Sequence, residues 1–192
     1  MKQTIRTFVA VEINATVRYQ AEQLIKRLQA APTDIKWVEP GNLHLTLKFL
    51  GDVAAEEAVG VCNAVGRAAE QVAPFDIELR GAGAFPNVRR PRTLWLGTGS
   101  GREPLEALYE RLESALRKLG FRRESRRFHA HLTIGRVRHG GSRTTELAEL
   151  ISQHEEFSAG RTTVRELVTF SSQLDRAGPT YEALGRASLG GK

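Results

Sequence analysis

Hydrophobic and polar positions change period repeatedly along the chain, and each change predicts a new element. Residues 5–11 are rich in apolar and β-branched side chains, as in a strand. Asn14 suits a helix N-cap, and apolar residues recur at helical spacing over residues 17–28, before Pro32. The first predicted elements are therefore a strand and a helix.

A strict period of two follows between residues 43 and 49. Leucine or phenylalanine occupies every odd position, and His44, Thr46 and Lys48 occupy the even ones. Side chains of a strand alternate between its two faces. This strand is therefore predicted to have one apolar face and one face of histidine, threonine and lysine.

The rest of the chain continues the alternation of strands and helices. Leucines at positions 105, 108, 112, 116 and 119 make the clearest helix, with Pro104 in its first turn and Gly120 beyond its end. Other patterns predict helices over residues 58–72 and 144–154 and strands over residues 75–79, 93–96, 128–137, 164–170 and 181–187. The expected fold class is α+β, with helices packed on open antiparallel or mixed sheets.

Composition and charge narrow the class of protein. At 192 residues, with 41% hydrophobic and 26% charged residues, the chain fits one compact domain. Its apolar runs are far shorter than the roughly 20 residues of a membrane span, so no membrane association is expected. Cys62 is the only cysteine, which excludes an internal disulfide and fits a cytoplasmic location. The net charge of +6 would attract polyanions such as nucleic acid.

The polar strand motif occurs twice. Leu-His-Leu-Thr-Leu at residues 43–47 and Ala-His-Leu-Thr-Ile at residues 130–134 place two histidines 87 residues apart in one pattern. In each copy the threonine shares the face of its histidine, which pairs His44 with Thr46 and His131 with Thr133. If the two halves face each other, both imidazoles and both hydroxyls meet in one cleft.

Two imidazoles in one cleft suit the hydrolysis of a phosphodiester. A neutral imidazole can take a proton from water while an imidazolium gives one to a leaving oxygen, and the threonine hydroxyls can bind phosphate oxygens. A half-buried, hydrogen-bonded histidine explains most single His-x-Thr motifs. Two copies in the same register favour the catalytic interpretation, because packing does not require histidine.

The sequence resembles a known family over nearly its full length, the RNA 2′,3′-cyclic phosphodiesterases, formerly called 2′-5′ RNA ligases, of the two-histidine phosphoesterase superfamily. The segments that carry the resemblance are residues 6–10, 37–38, 40, 42–51 (Asn-Leu-His-Leu-Thr-Leu-Lys-Phe-Leu-Gly), 84–86, 89–97, 128–136 (Phe-His-Ala-His-Leu-Thr-Ile-Gly-Arg) and 178–181. One departure is Ala130, where the family usually has proline before the second histidine. This change loosens a constraint on the strand but removes no chemical group.

The resemblance implies a single bilobal domain over residues 1–192, with the LigT-like fold of two pseudo-symmetric lobes and a central cleft. It implies metal-free opening of a terminal 2′,3′-cyclic phosphate of RNA to a 2′-phosphate, without a cofactor. His44 would be the proton donor and His131 the proton acceptor, and Thr46 and Thr133 would bind the phosphate. Members can also join 2′-5′ linkages. The expected partner is RNA with cyclic phosphate ends, such as tRNA fragments, and a monomer is expected.

Positive side chains near the motifs are further candidates. By spacing, Lys48 lies on the His44 face and is expected to bind phosphate. Arg136 alternates to the face opposite His131, so it can bind phosphate only if the strand bulges or ends there. Two arginine runs are expected to rim the cleft and bind RNA, or else to form a solubilising surface. The arginines assigned to RNA are Arg89, Arg90, Arg126 and Arg127.

Aromatic residues and a further histidine have open interpretations. Trp95, between two leucines, is expected in the core. Trp37, Phe85 and Tyr181 are candidates for stacking a terminal base, although packing is the more common explanation for each one. His129 could form a metal site with His131, but no third ligand lies beside the pair in sequence. His139 and His154 are expected on the surface.

Two other functions compete with hydrolysis of RNA ends. The cleft could recognise phosphorylated RNA without turning it over, but binding alone would accept arginine or lysine at the histidine positions. The protein could instead hydrolyse small cyclic phosphates, and the arginine runs favour a polymer over these.

Overall fold

The computed structural model describes residues 3–125, 127–138, 144–175 and 178–191. They form one nine-stranded sheet and four helices. The strands are β1 (Thr4–Glu12), β2 (Ile35–Trp37), β3 (His44–Ala54), β4 (Phe75–Phe85), β5 (Thr93–Thr98), β6 (His131–Val137), β7 (Ser158–Val164), β8 (Glu166–Leu174) and β9 (Pro179–Ser188). The helices are α1 (Ala15–Leu28), α2 (Ala58–Ala69), α3 (Arg102–Arg117) and α4 (Thr144–Gln153). None of these helices has the length and apolar character needed to cross a membrane.

The order of strands in the sheet is symmetric about its centre. The sheet runs β7-β4-β5-β6-β3-β1-β8-β9, and the short β2 pairs with β6 beside this path. All pairings among the described strands are antiparallel. The α+β prediction is confirmed, and of its two sheet types the antiparallel one is correct. The junction of β3 and β6, the two motif strands, lies at the midpoint.

Helices cover one face of the sheet because their apolar stripes match the apolar faces of the strands. Asn14 caps α1 as predicted, since its side-chain oxygen accepts a hydrogen bond from the Val17 amide at 2.9 Å. In α3, four of the five predicted leucines are fully buried, whereas Leu119 lies beyond the last turn and is 44% exposed. The chain leaves that turn at Gly120, with φ of 91°. The opposite face of the sheet carries partly exposed polar side chains and a small apolar cluster of Phe8, Ala10, Val168 and Phe170.

Several strands differ from their predicted bounds. β3 and β4 are longer than predicted, and β6 begins three residues later. The sequence pattern did not predict β2 or β7. β7 reads Ser-Ala-Gly-Arg-Thr-Thr-Val, and this polar segment is a strand because it pairs with β4 at the sheet edge. The prediction for His139 lies outside the described residues.

Candidate active site

The two His-x-Thr motifs meet at the centre of the sheet. Leu45 of β3 and Leu132 of β6 are antiparallel partners, and both are buried under the helices. Residues directly opposite each other share a face, and neighbours along each strand take the other face. The four motif side chains therefore lie together on the open face: His44, Thr46, His131 and Thr133.

The antiparallel register also sets the spacing of this group. Continued by one residue on each side of Leu45 and Leu132, it places His44 beside Thr133 and Thr46 beside His131. The two histidines are then diagonal neighbours, about 7–8 Å apart at the backbone. Within the described parts of the chain, neither threonine hydroxyl has a hydrogen-bond partner. Both hydroxyls are therefore available to donate to a bound group.

Each site imidazole is fixed by a backbone carbonyl two residues before it. The Nδ1–H of His44 donates to the Asn42 carbonyl oxygen at 2.7 Å, and the Nδ1–H of His131 donates to the His129 carbonyl oxygen at 2.6 Å. Because a carbonyl oxygen only accepts, Nδ1 carries the proton in both rings. Proton exchange with a bound molecule is therefore left to Nε2 of each ring.

Burial and neighbouring charges tune the two imidazoles differently. Burial lowers the pKa of His44, while the Asn42 carbonyl and the Glu12 carboxylate act in the opposite direction. Burial also lowers the pKa of His131, and here the His129 carbonyl is opposed by the positive charges of His129 and Arg136. The nearby charges thus act in opposite directions on the two rings, while burial, the largest cause, lowers both pKa values.

A bulge in β6 brings Arg136 to the motif face. Leu94 and Trp95 are consecutive in β5, but their partners are Gly135 and Thr133, so Ile134 is an extra residue in β6. Ile134 and Gly135 are both buried, and Arg136 emerges exposed on the side of His131. The Nη1 of Arg136 lies 3.4 Å from the Thr93 hydroxyl. The structural condition for Arg136 to bind phosphate is thus met.

A matching bulge in β3 removes Lys48 from the motif face. Val9 and Ala10 pair with Lys48 and Thr46, which leaves Leu47 as the extra residue. Lys48 turns into the core and is only 4% exposed. The expectation that Lys48 shares the His44 face, and so binds phosphate, is wrong, because the strict alternation of the sequence ends at the bulge.

Buried partners hold Lys48 in its inward position. Its Nζ lies 2.6 Å from Glu113 Oε1 of α3 and donates a hydrogen bond to the Arg122 carbonyl oxygen at 2.7 Å. Phe49 takes the open-face position instead and is 55% exposed. Its ring lies 5.9 Å from the ring of Phe8, a residue that the sequence pattern did not single out.

An aromatic ring meets each catalytic candidate edge-on. The ring of Tyr181 lies 5.3 Å from that of His44, and the ring of Phe85 lies 5.0 Å from that of His131. Phe8 also stacks on His44, with ring centroids 4.9 Å apart. Two of the three aromatic residues singled out by sequence thus line the site. The third, Trp37, packs against the core instead.

Trp95 lies on the site side of the sheet, so its predicted place in the core is wrong. Its ring is 5.2 Å from Phe85 and 5.1 Å from His129. The indole lies against Gly83, where an added Cβ would fall 2.3 Å from the Trp95 ring. A glycine on the neighbouring strand therefore makes room for this side chain.

Substituting Gly83 is expected to displace Trp95. Gly83→Ala should lower the free energy of unfolding by about 1–3 kcal/mol, because the new methyl group overlaps the indole. Thermal unfolding and tryptophan fluorescence measure the two effects. Gly66→Ala in α2 is the control, since its new methyl has no neighbour within 4 Å outside the adjacent helix backbone. This variant should be slightly more stable, because alanine favours a helix more than glycine does. A Gly83→Ala variant as stable as the control, with unchanged fluorescence, would contradict this packing.

The arginine candidates are exposed, and one falls outside the described residues. Arg89 and Arg90 lie on the turn between β4 and β5, where both backbone amides donate to Asn87 Oδ1 at 3.1 and 3.0 Å. Arg127 is exposed, and its charge contributes to lowering the pKa of His129, after burial and Arg102. Arg126 is outside the described ranges.

Among the described residues, the structure adds no third ligand to a metal site formed by His129 and His131. The ring centroids of His129 and His131 are 6.3 Å apart. Within the described ranges, no group of three or more histidine, cysteine, aspartate or glutamate side chains is arranged to hold a metal ion. His154 lies away from this pair at the end of α4, where its Nδ1–H donates to the Leu150 carbonyl oxygen at 2.8 Å.

Comparison with known proteins agrees with the duplicated architecture. The sequence pattern of the LigT-like phosphoesterase family matches twice, at residues 11–95 and 96–181. An RNA 2′,3′-cyclic phosphodiesterase from Methanothermobacter thermautotrophicus is 38% identical over 92% of this chain and 95% of its own length. Two solved structures, TT0787 of Thermus thermophilus and LigT of E. coli complexed with 3′-AMP, superpose with TM-scores of 0.81 and 0.77. Each is 28% identical and covers 97% of this chain and 99% of its own. The two family matches and the shared fold establish that the chain belongs to the LigT-like phosphoesterase family.

Proposed function

We propose that this protein hydrolyses terminal 2′,3′-cyclic phosphates of RNA to 2′-phosphates. The observation that carries the proposal is the meeting of two His-x-Thr motifs on one face of the sheet, each histidine with Nδ1 occupied and Nε2 left for the substrate. The substrate class is supported by the relatives named RNA 2′,3′-cyclic phosphodiesterase. In this proposal the two motifs act within one bilobal domain.

The proposed reaction is a single in-line displacement at phosphorus. His131 Nε2 takes a proton from water, and the water oxygen forms a bond to phosphorus. The bond from phosphorus to O3′ breaks, and O3′ takes a proton from His44 Nε2 to become a hydroxyl. The product carries its phosphate on O2′. The charges near each imidazole support these roles, since Glu12 favours a protonated His44 and Arg136 favours a neutral His131.

Three side chains are proposed to bind the phosphate during the reaction. The hydroxyls of Thr46 and Thr133 donate to its non-bridging oxygens, and Arg136 offsets the charge that builds up on them. Proton transfer by the histidines and charge compensation by Arg136 require no metal ion in this scheme. Lys48 is not included, because its ammonium is buried against Glu113.

The remaining parts of the proposal concern the RNA. Arg89, Arg90 and Arg127 are exposed near the β4–β5 turn and the chain before β6, and they are proposed to bind phosphates next to the reacting end. An RNA 5′-hydroxyl in the position of the attacking water would yield a 2′-5′ linkage by the same proton transfers. Ligation of RNA ends is therefore proposed as a second outcome at the same site.

The direct test is a product analysis. A short RNA with a 2′,3′-cyclic phosphate end, incubated with the protein in excess chelator, should yield a 2′-phosphate at the rate found without chelator. A 2′,3′-cyclic mononucleotide assayed in parallel should react with a lower kcat/KM, because it lacks the flanking phosphates. A 3′-phosphate product would contradict the proposed leaving group. Loss of activity in chelator with rescue by zinc or manganese would instead make His129 and His131 metal ligands.

The pH dependence of the reaction follows from the two imidazoles. His131 must be neutral, so activity rises as pH increases through its pKa, and His44 must be protonated, so activity falls as pH increases through its pKa. Burial lowers both pKa values, so both limbs of the kcat/KM profile of the free enzyme should lie at lower pH than two unperturbed histidines would give. A bound phosphate anion favours imidazolium, so the kcat profile should shift towards higher pH. A profile with no acidic limb would contradict a histidine base.

A further inference from the structure

A buried polar network lies on the helix side of the sheet, where α3 packs against β3. Lys48, Glu113 and Tyr109 are each only 4% exposed. The Lys48 ammonium contacts the Glu113 carboxylate at 2.6 Å. Burial and the nearby charge of Glu113 raise the pKa of Tyr109 to about 12, so Tyr109 keeps its proton. All three groups lie outside the site described above.

The network holds two points of the chain that leads from α3 into β6. Lys48 donates to the Arg122 carbonyl oxygen at 2.7 Å. The ring of Tyr109 stacks on Phe128, with centroids 4.1 Å apart and planes within 7°. Phe128 directly precedes His129, whose carbonyl oxygen accepts the Nδ1–H bond of His131. One end of the network thus lies one residue from the group that orients the His131 imidazole.

The other end of the network is part of β3. Lys48 lies two residues after Thr46, and its inward turn occurs at the bulge that ends the motif face of β3. α3 supplies both Tyr109 and Glu113, four residues apart on one face of the helix. A single helix therefore contacts β3 and the chain leading into β6 through this network.

We propose that Lys48, Glu113 and Tyr109 are positioning residues that hold β3 and the chain leading into β6 in the relative position that the two-histidine reaction requires. The kinetic part of this inference rests on the proposed function. Its structural part, control of the His131 imidazole through the His129 carbonyl, does not.

The energetics of buried ion pairs allows a positioning role of the network to be distinguished from a stabilising one. Replacing a buried ion pair by apolar residues of similar volume is often neutral or stabilising, whereas removing one partner leaves a costly unpaired charge. If the Lys48–Glu113 pair only stabilises the fold, apolar residues can therefore replace it without loss of activity. If the pair positions the two segments, activity falls on replacement, because apolar contacts do not hold the Arg122 carbonyl or align the Tyr109 ring.

The test is the double variant Lys48→Met/Glu113→Leu, assayed by unfolding, kinetics and NMR titration of the histidines. It should unfold at the wild-type temperature or above, while kcat falls at least ~10-fold and KM changes less than about twofold. Because one positive and one negative charge are removed together, the long-range fields at the histidines largely cancel. The double variant Arg80→Gln/Glu156→Gln, which removes an exposed ion pair, is the control and should keep wild-type values.

NMR titration measures the pKa of His131, which a merely structural role of the network would leave unchanged. The His129 carbonyl raises the pKa of His131 against burial and against the charges of His129 and Arg136, so a looser bond should lower that pKa further. The acidic limb of the kcat/KM profile should move to lower pH with it. The pKa of His44 should stay unchanged, because Asn42 is held by its own side-chain bond to the Pro179 carbonyl at 2.9 Å.

The outcomes separate this inference from the proposed function. If wild type and double variant share the same kcat and the same His131 pKa, the network is structural and the inference is overturned. If the wild type does not open the cyclic phosphate, the proposed function fails, but a lowered His131 pKa in the variant still supports the positioning role. Should the double variant not fold, Phe128→Leu removes the stack on Tyr109 and must lower the His131 pKa, or the inference falls.

Discussion

Replacing either site histidine by alanine should lower kcat at least ~10²-fold and leave the fold intact. His44 and His131 are partly exposed and lie outside the core under the helices, and each transfers a proton in the proposed reaction. The His44 variant exposes part of the Phe8 ring that stacks on the imidazole, but it leaves the core under the helices unchanged. Substrate affinity should change little, because Thr46, Thr133 and Arg136 still bind the phosphate. Single-turnover kinetics, with unfolding curves on the same samples, measure both effects.

The matched control for this prediction is His154→Ala. His154 also donates from Nδ1 to a backbone carbonyl, that of Leu150, but it lies at the end of α4. This variant should keep the wild-type kcat. A His44→Ala or His131→Ala variant with near-wild-type turnover would refute proton transfer by that residue.

Arg136→Ala should lower kcat/KM about 10²-fold, the loss typical of removing one strong donor to a developing oxyanion. The bulge at Ile134 brings the guanidinium to the His131 face, where it can form two parallel hydrogen bonds to phosphate. Arg136→Lys should recover part of the loss, because lysine keeps the charge but not the paired geometry. Steady-state kinetics of both variants give the comparison.

Arg138→Ala controls for the removal of positive charge near the end of β6. Arg138 is exposed and lies 3.9 Å from Asp34, so it has its own partner away from the site. It should change kcat/KM less than about threefold. Equal losses in Arg136→Ala and Arg138→Ala would mean that β6 contributes only a diffuse positive field.

The sequence was sufficient for the parts of the site that follow from regular periods. The motif strands were visible as His-x-Thr between apolar residues, and α3 as leucines at helical spacing, because each period reflects one repeated geometry. The duplication suggested that the two halves face each other, but the pairing of Leu45 with Leu132 is known only from the structure. The edge strand β7 was not predicted, because its polar residues follow no regular period. It is a strand because it pairs with β4.

The bulges explain the main errors. A bulge depends on the register with a neighbouring strand, which the local pattern does not contain. In β6 the consecutive core residues Ile134 and Gly135 were a usable signal. In β3 the two consecutive inward-facing residues are Leu47 and Lys48. The charge of Lys48 led to its assignment to the polar face. Its buried partner, Glu113, lies 65 positions away in the sequence, so no local pattern could reveal the pair.

Trp95 was misplaced for a related reason. Its leucine neighbours suggested a strand buried on both faces, but Leu94 and Leu96 face the helices and Trp95 faces the site. The room for the indole comes from Gly83 on the neighbouring strand. A glycine opposite a tryptophan can be recognised only once the pairing of β4 with β5 is known.

The assignment of the two histidines is tested most directly by changing the leaving group. A cyclic substrate with sulfur in place of O3′ needs little help from an acid, because a thiolate leaves unprotonated. It should restore most of the activity of His44→Ala and almost none of that of His131→Ala, since water must still lose its proton. Rescue of His131→Ala instead would reverse the two roles, and rescue of neither would contradict acid catalysis by His44.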